Sequence, residues 1–442
     1  MVRTIGILNN HFQKPFNLHI LIFLTFIIGA FTLDTPENII RGFGVIISSQ
    51  DILTTDYLEL AGLGATLLNV GATSIISVII LKASGVKPNG STIMSLWLMA
   101  GFSFFGKNIF NIWPIIFGGW LYAKHQKEPF INYSLVTILA TSLSPTVSFV
   151  ALDDSLTLFQ GIIISTIVGT IIGFIMPPIS SNCMKAHSGY NLANVGFASG
   201  FVATILMGFF RNIGRESDAV LIWNTQFTNQ LFGFLVLIFI WLIVIGLFVD
   251  SEKPKHSTES SEPIPKESRK DHVLKSLAKF KKIHSHSGRL VTDYYFIYKE
   301  SSYINMGVLG LFSLVIIFLL GSELSGPNIG AVFTIAGFGA FGKHVRNIVP
   351  GMIGGIIATT IFGYPMNSPI VIQSILFGTC LAPVAGSFGW HYGMVAGFLQ
   401  ICVVTTLSQL HGGLTLYNSG FSGGIVALIL VPLIHTFESS ND

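Results

Sequence analysis

Charge is what this chain has least of. Asp, Glu, Lys and Arg together make up 10% of its 442 residues, while 51% are hydrophobic and the mean hydropathy is +0.68; a soluble domain carries about a quarter charged residues. That scarcity excludes a soluble fold and a nucleic-acid surface. Cysteine is scarce too. The three present, Cys183, Cys380 and Cys402, are odd in number and lie in or beside apolar runs, so no disulfide framework is implied. There is no Walker loop, no G-x-S-x-G and no H-E-x-x-H, and His284 and His286 are too isolated to argue for a metal, so neither nucleotide hydrolysis nor any cofactor is expected. Asp and Glu are essentially missing from the apolar cores: Glu59 stands at the edge of a run and Asp153-Asp154 in a loop. Proton- and sodium-coupled carriers often use an intramembrane carboxylate. Its lack favours a channel or facilitator, or a carrier whose ion is held by carbonyls and hydroxyls.

What is present is apolar length. A bilayer crossing needs roughly 17–25 residues, and fourteen candidate segments recur between positions 18 and 436. The first reads as a retained span and not a signal peptide, because no small-x-small cleavage pattern follows it. The expected fold is an all-α polytopic membrane protein of about 12–14 transmembrane helices. One polar island, Asp250 to Ser302, holds eleven of the 24 Lys and Arg residues. Basic loops stay in the cytoplasm, which places the N-terminus, this island and the C-terminus inside and the acidic stretch Asp34–Asp56 outside; Arg211 and Arg215 dissent. STESSEPIPKES reads as a disordered linker that is mobile and dispensable for transport. Residues 272–290 read equally as an interfacial helix or as a solvated linker.

The chain also writes one sentence twice. GFSFFGKNIFNIWPIIFGG from Gly101 returns as GFGAFGKHVRNIVPGMIGG from Gly337, so that Lys107, Asn111 and Pro114 recur 236 positions later as Lys343, Asn347 and Pro350. HSGYNLANVGFASGFVA from His187 returns as HGGLTLYNSGFSGGIVA from His411, pairing Asn194 with Asn418 at a shift of 224. Pro88-Asn89 parallels Pro327-Asn328, and Leu143-Ser144-Pro145 parallels Leu381-Ala382-Pro383. The expected organisation is an N-terminal segment with the first span (1–56), repeat 1 (57–210), a linking span (211–249), a cytoplasmic basic linker (250–302) and repeat 2 (303–442). The single linking span makes the two repeats antiparallel. Inverted repeats place a solute site near the midplane at their interface, and short or broken helices point to it. Segments 91–106 and 328–342 are the shortest, and each ends in Gly-Lys; whether they cross fully or turn back is open at this stage.

Lys107 and Lys343 are the sharpest candidates, because a lysine at membrane depth costs at least about 2.5–3.5 kcal/mol and usually faces a partner, a cavity or a solute; the alternative is snorkelling from a helix end. Asn111, Asn347, Asn194 and Asn418 are candidate hydrogen-bond partners of a solute, or else bonds between helices. Asn69, in a similar Asn-x-Gly frame, is a third version. His187 and His411 read as interfacial anchors. With both lysines at one central cavity, the path is expected to exclude cations and to pass a small anion or a dipolar neutral molecule.

The doubled G-F-x-x-F-G-K-x-x-x-N-I-x-P motif, the paired His-x-Gly and Asn-x-Gly-Phe elements and the basic central loop resemble an uncharacterised family of bacterial integral membrane proteins known only as a domain of unknown function, which carries no assigned activity. The chain is also distantly similar to urea channels, in its two inverted halves, its RGFG at Arg41–Gly44 and span starts such as SGYNLANVGF; the Leu-Pro-x-x-Thr-x-Pro signature of that family is not present. The leading expectation is a permease, channel-like or carrier-like, for a small polar or anionic solute. Its partners are the lipid bilayer and that solute, with no nucleic acid, and a homo-oligomer is compatible. The competing class is a membrane-embedded enzyme or assembly factor acting on a lipid-type substrate through His187, His411 or the lysines; a duplicated core without carboxylates speaks against it, since acid–base chemistry needs a tuned pair.

Overall fold

The computed structural model describes residues 14–52, 54–215, 221–249 and 268–439. The STESSEPIPKES linker, apart from its last residue Ser268, and the first residues of the chain, both read above from the sequence, lie outside the described residues.

Among the described residues nineteen α-helices follow one another: α1 Lys14–Leu33, α2 Pro36–Ile47, α3 Tyr57–Ala83, α4 Gly90–Phe102, α5 Trp113–His125, α6 Ser134–Ala140, α7 Ser144–Ala151, α8 Leu158–Ala186, α9 Asn194–Asn212, α10 Thr228–Phe248, α11 Arg269–Ile283, α12 Tyr294–Tyr298, α13 Ser301–Leu319, α14 Gly326–Gly337, α15 Val345–Ile361, α16 Pro369–Gly378, α17 Ala382–Phe388, α18 Trp390–Leu407 and α19 Asn418–Ser439. The only pairing of strands among the described residues is a parallel bridge of two residues each, Thr54–Thr55 with Leu221–Ile222. Ten helical segments among the described residues are long and apolar enough to cross a membrane, counting α6–α7 (Ser134–Ala151) and α16–α17 (Pro369–Phe388) as one each. The fourteen apolar segments of the sequence are thus ten long spans and four short helices, α4, α5, α14 and α15.

The short helices form two hairpins. Asp293 accepts from the Gly90 amide at the start of α4 (2.8 Å to Oδ1), and Leu290, three residues before it, donates to Gly189 just past the end of α8 (3.1 Å). The start of α4 and the end of α8 therefore share one end of the bundle. α7 meets α8 near its beginning, with Ala151 against Gly161, so α6 starts, and α5 ends, at that same end. α4 and α5 enter and leave on one side. Close packing holds α5 there: a Cβ on Gly118 would strike the Thr170 carbonyl, and one on Gly119 the Thr137 side chain. α15 packs on α18 in the same manner, with Gly393 against Pro350 and Gly397 against the Gly351 carbonyl.

Equivalent positions in the two halves make equivalent bonds, and several are exchanged between halves. Asp56 accepts from the Gly326 amide at the start of α14 (2.9 Å), the counterpart of Asp293 on Gly90. Leu192 donates to Cys380 of the second half (2.9 Å), and Leu416 to Ser142 of the first (2.9 Å). Gly200 lies against Phe421 and Gly424 against Phe197. The Leu-x-Pro match holds in space, since both copies follow a single 3-10 turn, Thr141–Leu143 and Thr379–Leu381. The Pro-Asn match does not. Asn89 caps α4 from outside, whereas Pro327 and Asn328 sit in the first turn of α14 behind the cap Ser325; geometry pairs Gly90 with Gly326 instead.

Two regions differ from expectation. Residues Asp34–Asp56, read as an external acidic stretch, contain the helix α2 and then turn inward, burying Asp51 and Asp56 at 1% and 0% exposure. Of the two readings of 272–290, a helix is present from Arg269 to Ile283. Ile283 is buried, while Leu274 and Leu277 are exposed among lysines, as on a helix lying along a lipid surface. The dissenting arginines are accounted for: Arg215 pairs with Asp153 at 2.6 Å, and Arg211 donates to the Gln409 carbonyl at 2.7 Å.

Candidate functional site

The repeated Gly-Lys sits where each hairpin turns. Gly106 and Gly342 have φ of 74° and 98°, backbone that side chains rarely adopt, which is why a glycine stands before the lysine in both copies. A turn of irregular backbone inside an apolar bundle needs partners for its carbonyls. Asparagines supply them. Asn69 Nδ2 donates to Ser103 O and Lys107 O, both at 2.8 Å, and Asn305 Nδ2 donates to Gly339 O and Lys343 O at the same distance. Asn111 Nδ2 donates to Gly106 O (3.1 Å) and its Oδ1 accepts from Asn108 N (3.0 Å); Asn347 does likewise with Gly342 O (2.9 Å) and His344 N (2.9 Å). Asn305 escaped the motif reading although its Asn-Met-Gly lies 236 positions after Asn69-Val-Gly.

The lysines do not meet at a common cavity. Lys107, 1% exposed, reaches Met99 Sδ at 3.0 Å beneath the Phe102 ring (5.2 Å to its centroid). Lys343, fully buried, donates to Thr379 Oγ1 at 2.8 Å beneath the Phe338 ring (4.7 Å). Each ammonium stays within its own half, under a ring at the end of α4 (Phe102) or just past the end of α14 (Phe338). Among the described residues no carboxylate lies within 4.0 Å of either.

A carboxylate does occupy the first hairpin's turn. Asp51 Oδ2 accepts from Ser148 Oγ (2.7 Å) and from the amides of Asn108 and Asn111 (3.2 Å each), and Oδ1 accepts from Tyr57 (2.8 Å). The reading of a core free of carboxylates is corrected here: Asp51 arrives from a loop between spans, so no apolar run contains it. Among the described residues the second half has no counterpart carboxylate; there Asn347 Nδ2 donates to the Ser287 carbonyl (3.4 Å), and His344 Nε2 is 2.9 Å from the His286 carbonyl.

The His-Asn elements form a second repeated device. His187 Nε2 is 3.0 Å from Asn194 Oδ1, and His411 Nε2 is 2.9 Å from Asn418 Oδ1. The Nδ1 atoms accept from Gly189 and Gly413, 3.2 Å in both, so each ring donates from Nε2 and is neutral. The other arm of each amide reaches back to the preceding span, Asn194 to Ser180 O (3.0 Å) and Asn418 to Val404 O (3.3 Å). These pairs pin the starts of α9 and α19.

Two cavities lie beside these elements. One, of about 240 Å³, is lined by Ser91, Leu139, Asn194, Leu290, Phe341 and Tyr417 among others. The second, of about 580 Å³, is lined by residues that include Phe105, Arg211, Gln373, Phe377, His411 and Asn418. α9 lines the first with its opening turn and the second with Arg211, about 25 Å further on at 1.5 Å per residue, so the cavities lie towards opposite ends of the bundle. Their linings correspond across the repeat: Asn194 to Asn418, Leu192 to Leu416, Leu139 to Phe377 and Phe341 to Phe105. Of the six residues singled out by sequence, Asn194 and Asn418 line these cavities. Lys107, Lys343 and Asn111 line neither, and Asn347 lines a third, of about 300 Å³, with His284, His286, His344 and Arg346.

The fold and its apolar surface define a multi-span helical membrane protein. Residues 35–212 and 273–436 match the family described as "Protein of unknown function (DUF1576)", and the chain belongs to that family. No curated protein and no solved structure matches it. The likeness to urea channels therefore rests on motifs alone.

Proposed function

We propose that this protein is a permease of the cell membrane, a channel or facilitator-like transporter for a small polar or anionic solute, built from two inverted repeats with the solute site at their interface. The observation that carries the reading is the pair of cavities at opposite ends of the bundle, lined by corresponding residues of the two halves. Two hairpins that turn inside the bundle on glycine and lysine, each with its carbonyls held by asparagine, support the same reading: in transporters, irregular backbone at depth marks the solute path. The inverted relation is supported by the reciprocal caps, Asp293 on the first hairpin and Asp56 on the second.

Purified protein in liposomes tests the proposal. The expected result is passage of a small polar solute well above protein-free vesicles, with the solute recovered chemically unchanged. Conversion of a lipid-type substrate without any flux would overturn it in favour of a membrane-embedded enzyme.

A further inference from the structure

Between the two cavities stands a layer of four aromatic rings. Phe102 and Tyr417 line the smaller cavity, Phe105 and Phe377 the larger. Their centroids are close: Phe102 to Phe105 5.8 Å, Phe102 to Phe377 6.3 Å and stacked, Phe102 to Tyr417 5.4 Å, Phe377 to Tyr417 5.6 Å. All four are buried, at 2%, 3%, 4% and 3% exposure for Phe102, Phe105, Phe377 and Tyr417 respectively. The layer is not symmetric: Phe377 and Tyr417 stand where the first half has Leu139 and Ala193, so each half supplies two rings but from positions that do not correspond.

The cavities differ in chemistry as well as in size. Gln373, Ser374 and Ser419 line the larger one, whereas the corresponding positions of the smaller are Leu135, Val136 and Val195. Among the described residues no carboxylate lines either cavity, and the one charged group, Arg211, donates to a backbone carbonyl. What remains are amide and hydroxyl groups that both donate and accept. Two of them are unsatisfied: the Tyr417 hydroxyl, at the ring layer, and Gln373 Nε2 are buried polar atoms with no hydrogen-bond partner among the described residues. Burying such atoms unpaired is costly, and a passing solute that offers an acceptor and a donor completes them.

We infer that the larger cavity is the loading site of the path, that Phe102, Phe105, Phe377 and Tyr417 form its gate, and that the solute is a small uncharged molecule that both donates and accepts hydrogen bonds. The inference rests on the permease reading and names its substrate class. A charged solute would have to shed its water at a wall of rings with no opposite charge to receive it; a neutral one exchanges water for Gln373, Ser374 and Tyr417.

The test uses the full-length protein in liposomes, with glycerol and acetamide as neutral probes and formate and methylammonium as charged ones. Wild type is expected to pass the neutral probes in preference to both ions. Replacing both second-half rings, Phe377→Ala with Tyr417→Ala, is expected to raise neutral flux about tenfold, the effect of a barrier lowered by about 1.4 kcal/mol. Gln373→Leu, the residue of the first half, is expected to lower it. Independently of flux, a Ser374→Cys thiol in a background lacking the three native cysteines is expected to react with a membrane-impermeant reagent from one side only, and from both sides once the two rings are removed. Flux through wild type with no response to ring removal, in transport or in labelling, overturns the gate and leaves the permease standing. Ions passing as fast as the neutral probes overturn the substrate class. Absence of flux for every probe in wild type and ring-deleted protein alike, with one-sided labelling in both, overturns the gate and the permease reading together.

Discussion

Asn69 and Asn305 each hold two carbonyls of an irregular turn, and they are the residues on which the hairpins depend most directly. Truncating either to alanine leaves two buried acceptors unpaired, at about 1–3 kcal/mol each. Both variants are expected to lose several degrees of thermal stability in detergent, Asn69→Ala slightly more because Asn69 Oδ1 also accepts from Thr73 (3.4 Å); an unchanged melting temperature for either would contradict the role. The lysines make the opposite forecast. Replacing a buried charge by an apolar residue of similar volume is often neutral or stabilising. Lys107→Met, which gives up a thioether contact, is expected to stabilise the protein more than Lys343→Met, which gives up the Thr379 bond. The double variant is expected to keep neutral flux; its loss in a folded double variant would return the lysines to the solute path. Reading single residues from sequence had a clear limit. The repeat exposed Lys107, Asn111, Asn194 and their copies because glycine and proline punctuate them. Asp51 stayed hidden because a loop's path into a core depends on contacts made with distant residues such as Ser148, which no local pattern records.

At the scale of elements, each half caps the other's hairpin. The Asp56 and Asp293 carboxylates receive the first amides of α14 and α4, where the helix dipole also favours negative charge. Asp293→Ala is expected to speed hydrogen exchange in the first turn of α4, and Asp56→Ala in the first turn of α14, with a loss of about 0.5–2 kcal/mol each. Exchange that rises only in the mutated half would refute the exchange of caps. The Arg215–Asp153 pair ties two loops at the end that carries the larger cavity. Partial burial works against the ionised Asp153, but the hydroxyl and amide of Ser155 and the Arg215 charge outweigh it and hold the carboxyl below its usual value. With the folded value depressed, this stabilising contribution is present above about pH 4 and is lost as pH falls through the folded value. Cleavage by a protease near Arg215 is accordingly expected to quicken in acid, and not in an Asp153→Asn variant. Elements were legible wherever apolar length decided them, which is why all fourteen segments exist. The hairpins were open because a helix of about 13 residues fits either a tilted half-span or a return, and only packing on α8 and α18 decides. α2 was missed because twelve residues that mix Pro, Asn, Arg and three glycine or phenylalanine positions look like a loop until Ile39, Gly42 and Ile46 find α3.

For the whole molecule, the ten long spans among the described residues, six before the basic segment and four after it, are even in number on each side of that segment, and this parity predicts that both chain ends lie on the same side of the bilayer as α11. The basic charge of α11 predicts that this side is the cytoplasm. A Lys282→Cys protein, in a background without native cysteines, is expected to react with an impermeant thiol reagent only after cells are opened; labelling of intact cells would invert the topology. The multi-span character was accessible from apolar length alone, whereas the partition of the interior into two unequal cavities was not, since it depends on which side chains of Leu139, Phe377, Ala193 and Tyr417 fill the middle. The reciprocal caps carry a consequence for biosynthesis. Gly90 waits for Asp293, 203 residues behind it, and at about 5–20 residues per second the ribosome needs roughly 10–40 s to deliver that carboxylate. Throughout that interval the first hairpin lacks its partner, and the nascent chain must be sheltered at the insertion machinery until the second half emerges to complete the first.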